Sequence, residues 1–262
     1  MLTTYKATGT PAKLLSAGDT NAKTAKNSLQ TYILYLSPAS QNSAGRNLCP
    51  KSSEGCRAAC LFSAGRGRFN NVQQARINRT EYLLRDRAAF LSQLAQEINK
   101  AAKKEAKKTG QNIAIRLNGT SDLKLVEMLT DRHKIEKNVV FYDYTKIPQK
   151  AGDRVTSQGH RYYVTFSRAE DNETQALNLL KIGVNIAAVF AGKELPKYWH
   201  GFRVVDGDKS DIEMLNFSGV VLGLRAKGDA KRDGSGFVIS ETRAAVSSVL
   251  TRKNVLKYAS FI

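Results

Sequence analysis

Cys49, Cys56 and Cys60 are the only thiols of this chain, and they fall within twelve consecutive positions of the segment LCPKSSEGCRAAC, residues 48–60. The spacing is C-x6-C-x3-C. With Cys56 and Cys60 at the start of a helix, one turn separates them and their sulfurs share a face. Cys49 then folds back across the turn from Pro50 to Gly55 to join them. Three thiolates from one loop meet a single metal centre in this arrangement, and Arg57, Arg66 and Arg68 stabilise their negative charge. An odd, closely spaced set in a chain without a secretory leader reads as metal or redox chemistry rather than as a disulfide.

Two centres suit such ligands. Structural zinc wants four ligands, usually with C-x2-C pairs, and the fourth would have to be His133, His160 or His200, none of which sits in a ligand pair. An iron-sulfur centre of the 4Fe-4S type accepts three cysteines and leaves one iron open to a substrate or cofactor. Zinc remains the alternative. A third reading, three buried structural thiols, fits poorly with the polar Pro-Lys-Ser-Ser turn and the glycine-flanked arginines of GRGR at 65–68. That GRGR matches neither phosphate-loop fingerprint and reads as a basic turn.

The charge balance points to a polyanionic partner. Lys and Arg number 41 against 23 Asp and Glu, for a net charge of +18 and a pI near 9.9. Between Arg46 and Lys108 the basic residues number fourteen against five acidic, so half the excess lies beside the cysteines. Nucleic acid is the expected partner, with Arg66, Arg68, Arg76 and Arg79 against phosphates. The alternative is a solvated surface that keeps the chain soluble. There is no apolar run of about 18 residues and no charged-then-apolar leader at Met1. No membrane association is therefore expected, and the expected location is the cytoplasm, that of the host for a phage-encoded chain. Oligomeric state is not legible.

Positioning these residues falls to a βα framework. Residues 1–28 read as an irregular arm, and TYILYLS at 31–37, stopping at Pro38, reads as a strand. The cysteine loop spans 46–70. From about Asn71 to Lys108 apolar residues recur at helical steps, with Gly110 as the stop. Short apolar runs follow at 113–117, 139–144, 162–166, 185–190, 202–205 and 220–224, most with helical or turn-rich segments after them. About seven continuous apolar strands separated by helices predict an α/β fold, a parallel βα barrel of TIM type, complete or partial, in one domain over 1–262. In such folds the carboxyl ends of the strands build the site. Polar clusters stand there: Asn118, Ser121 and Asp122; Thr145 and Lys146; Ser167, Arg168 and Glu170; Asp206 and Asp208; Arg225 and Lys227. Asp122, Asp143, Asp206 and Asp208 around divalent metal would make a hydrolase, a third class of function that leaves the cysteines idle.

A strand, a three-cysteine loop and a helix opening a parallel barrel resemble the radical S-adenosylmethionine enzymes. The resemblance implies a 4Fe-4S cluster on Cys49, Cys56 and Cys60, with S-adenosylmethionine held by Asn118, Ser121, Asp122, Ser167 and Arg168. The usual spacing there is C-x3-C-x2-C, shorter than in this chain. A second resemblance covers more residues. Asn21, Lys23, YILYLSPAS, CPKSSEGCRAACL, GRGR, QARINRT and IRLNGTSD are similar to the phage family called gene product eighty-eight, which implies a phage or mobile-element origin and no particular reaction. The combined expectation is a radical S-adenosylmethionine-like iron-sulfur enzyme acting on a nucleic acid or nucleotide. The alternative is a nucleic-acid-binding protein with a structural zinc or iron-sulfur site.

Overall fold

The computed structural model describes residues 5–18 and 24–240. Asn21 and Lys23 lie outside the described residues. In chain order the strands are β1 Leu15–Ala17, β2 Gln30–Leu34, β3 Ile113–Arg116, β4 Val139–Thr145, β5 Arg154–Val155, β6 Arg161–Ser167, β7 Ile186–Phe190, β8 Tyr198–Trp199, β9 Phe202–Asp206, β10 Val221–Arg225 and β11 Val238–Ile239. The helices are α1 Glu54–Ala58, α2 Asn70–Arg85, α3 Arg87–Thr109, α4 Leu125–Thr130 and α5 Glu173–Lys181. All seven apolar runs of the sequence form strands. The short β1, β5, β8 and β11 carry no comparable signal.

The strands make one sheet of mixed α/β type in the order β1-β2-β3-β4-β6-β7-β10-β9-β8, parallel from β2 to β9. β1 and β8 pair antiparallel at its two ends. The sheet is not closed, so the complete barrel expected from the strand count does not form among the described residues. Its end strands β1 and β8 do not pair with each other, and two features mark its second half. β10 inserts between β7 and β9, against chain order. β6 and β7 pair only at Phe166 with Ile186 and Ser167 with Ala187, and beyond that point β11 takes the place of β6 beside Val189 and Phe190.

Side chains alternate across the sheet. Ile113, Ile115 and Phe141 meet Phe90, Leu94 and Ile98 of α3 and Leu125 and Leu129 of α4. Phe166, Ile186 and Phe190 meet Ala176 and Leu180 of α5 on the same side. Each large side chain so buried contributes about 1.5–3 kcal/mol. Among the described residues the other face is covered by no α-helix: Ala114 and Tyr142 pack on Ile212, while Ala187 and Leu222 pack on Met214. A polar knot pins that cover. Tyr144 donates to Asp211 at 2.7 Å, Arg116 lies 4.6 Å from the Tyr144 ring centre, and Asn27 accepts from the backbone of Asp211 at 3.0 Å.

Two other expectations change. The long helix is two, because Asp86 leaves helical geometry and caps α3 by accepting from Ala89 at 2.9 Å. Gly110, at φ 70°, ends α3 as expected, in the left-handed region that glycine tolerates. The arm is also less irregular than its composition. Leu14 and Leu15 are buried, and Glu97 of α3 accepts from both backbone N–H groups, which turns residues 15–17 into an edge strand.

Candidate functional site

The parallel strands deliver their carboxyl ends to one edge, and the cysteine loop is tied to three of them. Toward β2, the loop is held by a bond from Leu48 to the Ala39 carbonyl at 3.0 Å. Beyond β3, Asp122 donates its backbone N–H to the Leu48 carbonyl at 2.8 Å, and the Cys49 sulfur lies 3.6 Å from the Thr120 carbonyl. Beyond β6, Glu170 accepts from the Gly55 N–H and the Ser53 hydroxyl, both at 2.7 Å. Ser53 in turn caps α1 by accepting from the Cys56 N–H at 3.1 Å. Gly55 has no room for a side chain, since a Cβ there would meet the Glu170 carboxylate at 2.7 Å.

The three cysteines are half-buried and line one cavity of about 380 Å³ with Ser52, Arg57 and Tyr5. Burial pushes the Cys49 thiol up to about 12, helped by the negative charge that Cys60, Cys56 and Asp122 would carry and opposed by the Ala39 N–H. Burial also raises Cys56, against the pull of Lys146, and Cys60, against the Phe62 N–H. Thiols held protonated at neutral pH are poor nucleophiles. A coordinated metal reverses this, because a ligating thiol is deprotonated outright.

Among the described residues no group of three His, Cys, Asp or Glu side chains is placed to hold one metal ion. Zinc draws its sulfurs to about 2.3 Å from one point. A four-iron cluster takes each thiolate on a different iron and so needs them further apart. All three thiols line one cavity, the donor set that either centre would draw on. None of the three histidines joins them in a ligating group.

Lys146, at the exit of β4, donates to the Ser167 hydroxyl at 2.8 Å and lies 5.3 Å from the Phe237 ring centre. It also faces Cys56. Of the residues expected to hold a cofactor, Ser167 is the one bonded to Lys146. Asn118 is engaged with Asp143 at 2.8 and 3.0 Å and accepts from Ser121 at 2.9 Å. Asp122 forms a buried pair with Lys150 at 2.7 Å and accepts from Thr145. Arg168 is 1% exposed and holds Glu173 and the carbonyls of Gly236 and Phe237, which anchors β11 in the gap beside β6. These four position loops. Lys146 and Glu170 stand at strand exits in the sequence, but only the folded chain turns them toward the cysteines.

The basic set divides. Arg66 and Arg68 are exposed on the turn at Gly65–Arg68, beside the exposed Phe69 and near Leu61. Arg79 is half-buried and donates to the Lys13 carbonyl at 3.4 Å. Arg76 is buried, its guanidinium 5.3 Å from the Tyr35 ring centre and 5.7 Å from that of Phe62. The four arginines therefore do not form one phosphate-binding surface. The acidic residues divide too: Asp143 is buried with Asn118 and Tyr162, while Asp206 and Asp208 pair with Arg225. They do not gather into the metal site a hydrolase would need.

The family model described as Gene product 88 matches residues 12–241. The chain belongs to the gene product 88 family. It is a family of phage gene products, so the bacteriophage link read from the CPKSSEGCRAACL and IRLNGTSD strings holds. No curated protein and no solved structure matches the chain. Membership spans the cysteine loop, Lys146, Glu170 and β11, all within the matched residues.

Proposed function

We propose that this gene product 88 protein is an iron-sulfur enzyme of radical S-adenosylmethionine-like type, with Cys49, Cys56 and Cys60 as cluster ligands and a nucleic acid or nucleotide as substrate. The observation that carries the reading is the convergence of all three thiols on one cavity at the carboxyl ends of a parallel sheet. A bound 4Fe-4S cluster with one open iron would supply an electron for reductive cleavage of S-adenosylmethionine. The chain's own residues do the rest. Glu170 and Ser53 hold α1 and so orient Cys56. Lys146, fixed by Ser167, presents a cation beside Cys56 suited to a carboxylate or phosphate. A reducing cytoplasm belongs to the same reading, since three free thiols persist there. Among the described residues no helix is long and apolar enough to cross a membrane.

The test is iron, sulfide and zinc analysis with an absorption spectrum on protein purified without oxygen. Iron with acid-labile sulfide, lost in each of Cys49→Ala, Cys56→Ala and Cys60→Ala, supports the reading. Zinc at one per chain without colour would replace it by the second reading, a nucleic-acid-binding protein pinned by zinc. One observation favours that second reading: Arg66, Arg68 and the exposed ring of Phe69 share one turn, a pairing of cations and stacking surface suited to single strands.

A further inference from the structure

The turn that follows the last cysteine meets a second basic turn from far along the chain. Asp229 donates its backbone N–H to the Ser63 hydroxyl at 3.5 Å, across 166 residues. Gly228, at φ 57°, lies so close that a Cβ there would meet the Ala64 Cβ at 3.0 Å. Leu61–Ser63 thus packs against both Gly65–Arg68 and Gly228–Arg232. Arg66, Arg68 and Lys231 stand exposed on these two flanking turns, and among the described residues their side chains make no hydrogen bond or ion pair. Leu61 and Phe69 are exposed beside them, at 55% and 54%. The neighbouring cations are engaged, Lys227 with Asp208 at 2.7 Å and Arg232 with Asp229 at 2.8 Å. Unpaired cations brought together from distant segments repel one another, and a bound polyanion removes that cost. The carboxylates of Glu54, Glu170, Asp229 and Asp233 line the adjoining cavity, and their charge bounds the basic surface on that side.

We propose that these turns form a platform for a single-stranded nucleic acid, with Arg66, Arg68 and Lys231 on its phosphates and Phe69 stacked on a base. The inference rests on nucleic acid as the partner and adds to the arginine turn a second wall, Gly228–Arg232, that only the fold brings there. A duplex keeps its bases stacked on each other, whereas each base of a single strand presents a face to an exposed ring. The platform begins at the residue after Cys60, so a strand lying on it passes beside the cysteine loop.

Full-length wild type, Lys231→Ala, Lys227→Ala and Phe69→Ala are to be titrated by fluorescence anisotropy over a range of salt. The probes are a labelled single-stranded oligodeoxynucleotide and the same strand in a duplex. Lys231→Ala should lower the slope of log affinity against log salt by about 1. Lys227→Ala, its charge already committed to Asp208, should keep the wild-type slope. Phe69→Ala should weaken single-strand binding about tenfold at every salt concentration and leave the slope as it is. A steep wild-type response with an unchanged slope in Lys231→Ala overturns the platform and leaves the arginine turn as the contact. Equal affinity for strand and duplex, or an unchanged affinity in Phe69→Ala, overturns the single-strand assignment. A flat salt response in wild type overturns the nucleic-acid reading and the platform with it.

Discussion

Glu170 accepts the backbone N–H of Gly55 at 2.7 Å, which fastens the first turn of the cysteine helix to the exit of β6, 115 residues further along the chain. The same carboxylate takes the Ser53 hydroxyl at 2.7 Å. One side chain thus satisfies two donors of α1 and decides where Cys56 lies relative to Lys146.

Removing that carboxylate should loosen the loop before it unfolds the domain. Glu170→Ala leaves two donors without a partner and should cost about 1–3 kcal/mol. Urea unfolding measures the loss, and alkylation of the metal-free protein should be several-fold faster than in wild type. Equal alkylation rates would mean that α1 holds its place without Glu170. Gly55→Ala should act in the same direction, since its Cβ would meet Glu170 and Ser235.

The Asp122–Lys150 pair at 2.7 Å is nearly sealed from solvent. Lys150→Met leaves a buried carboxylate with only Thr145 and the Lys146 N–H, and should destabilise the protein by about 3–5 kcal/mol. The double variant with Asp122→Asn should recover part of the loss in a denaturant titration. An additive double variant would show that the two charges act independently.

Burial pushes the Asp143 carboxyl up to about 6, against the pull of Arg116 and the Asn118 donors. A folded pKa above the unfolded one means that stability from this group is fully present below about pH 4. It is lost as pH rises to about 6, by about 3 kcal/mol in all. Carbon NMR of the Asp143 carboxyl should give its midpoint near 6. The stability difference between wild type and Asp143→Asn should change across that window and stay flat above it. A midpoint below 4 would refute the assignment.

If the basic turn meets phosphates, binding of a single-stranded oligonucleotide should weaken steeply with salt and be nearly blind to sequence. Arg66→Ala and Arg68→Ala should each lower the slope of log affinity against log salt by about 1. Arg79→Ala, with its Nε on the Lys13 carbonyl, should leave the slope unchanged. A flat salt response in wild type would remove nucleic acid as the main partner.

Strand identity was local and therefore legible. TYILYLS, IAIRL, VVFYDY and YYVTF are apolar, β-branched or aromatic and bounded by polar residues, and each forms a parallel strand. The grouping of the thiols was suggested by their short spacing, and the turn at Pro50–Gly55 and helix α1 bring them to one cavity. The break at Asp86 was hidden within a continuous helical period, since only the cap geometry reveals it. Openness of the sheet was not local at all. It lies in the strand order, whose two ends, β1 and β8, come from distant parts of the chain and do not pair. The arginines make the same point. Arg66, Arg68, Arg76 and Arg79 are one basic run in sequence, and only packing against Tyr35 and Phe62 decides that Arg76 faces inward. Composition and spacing set which chemistry the chain carries, because residue type and short separations are properties of the string. Which strand exits supply Lys146 and Glu170 to the cysteines was decided by the tertiary structure, because contacts across a hundred residues depend on strand order, and no local pattern encodes that order.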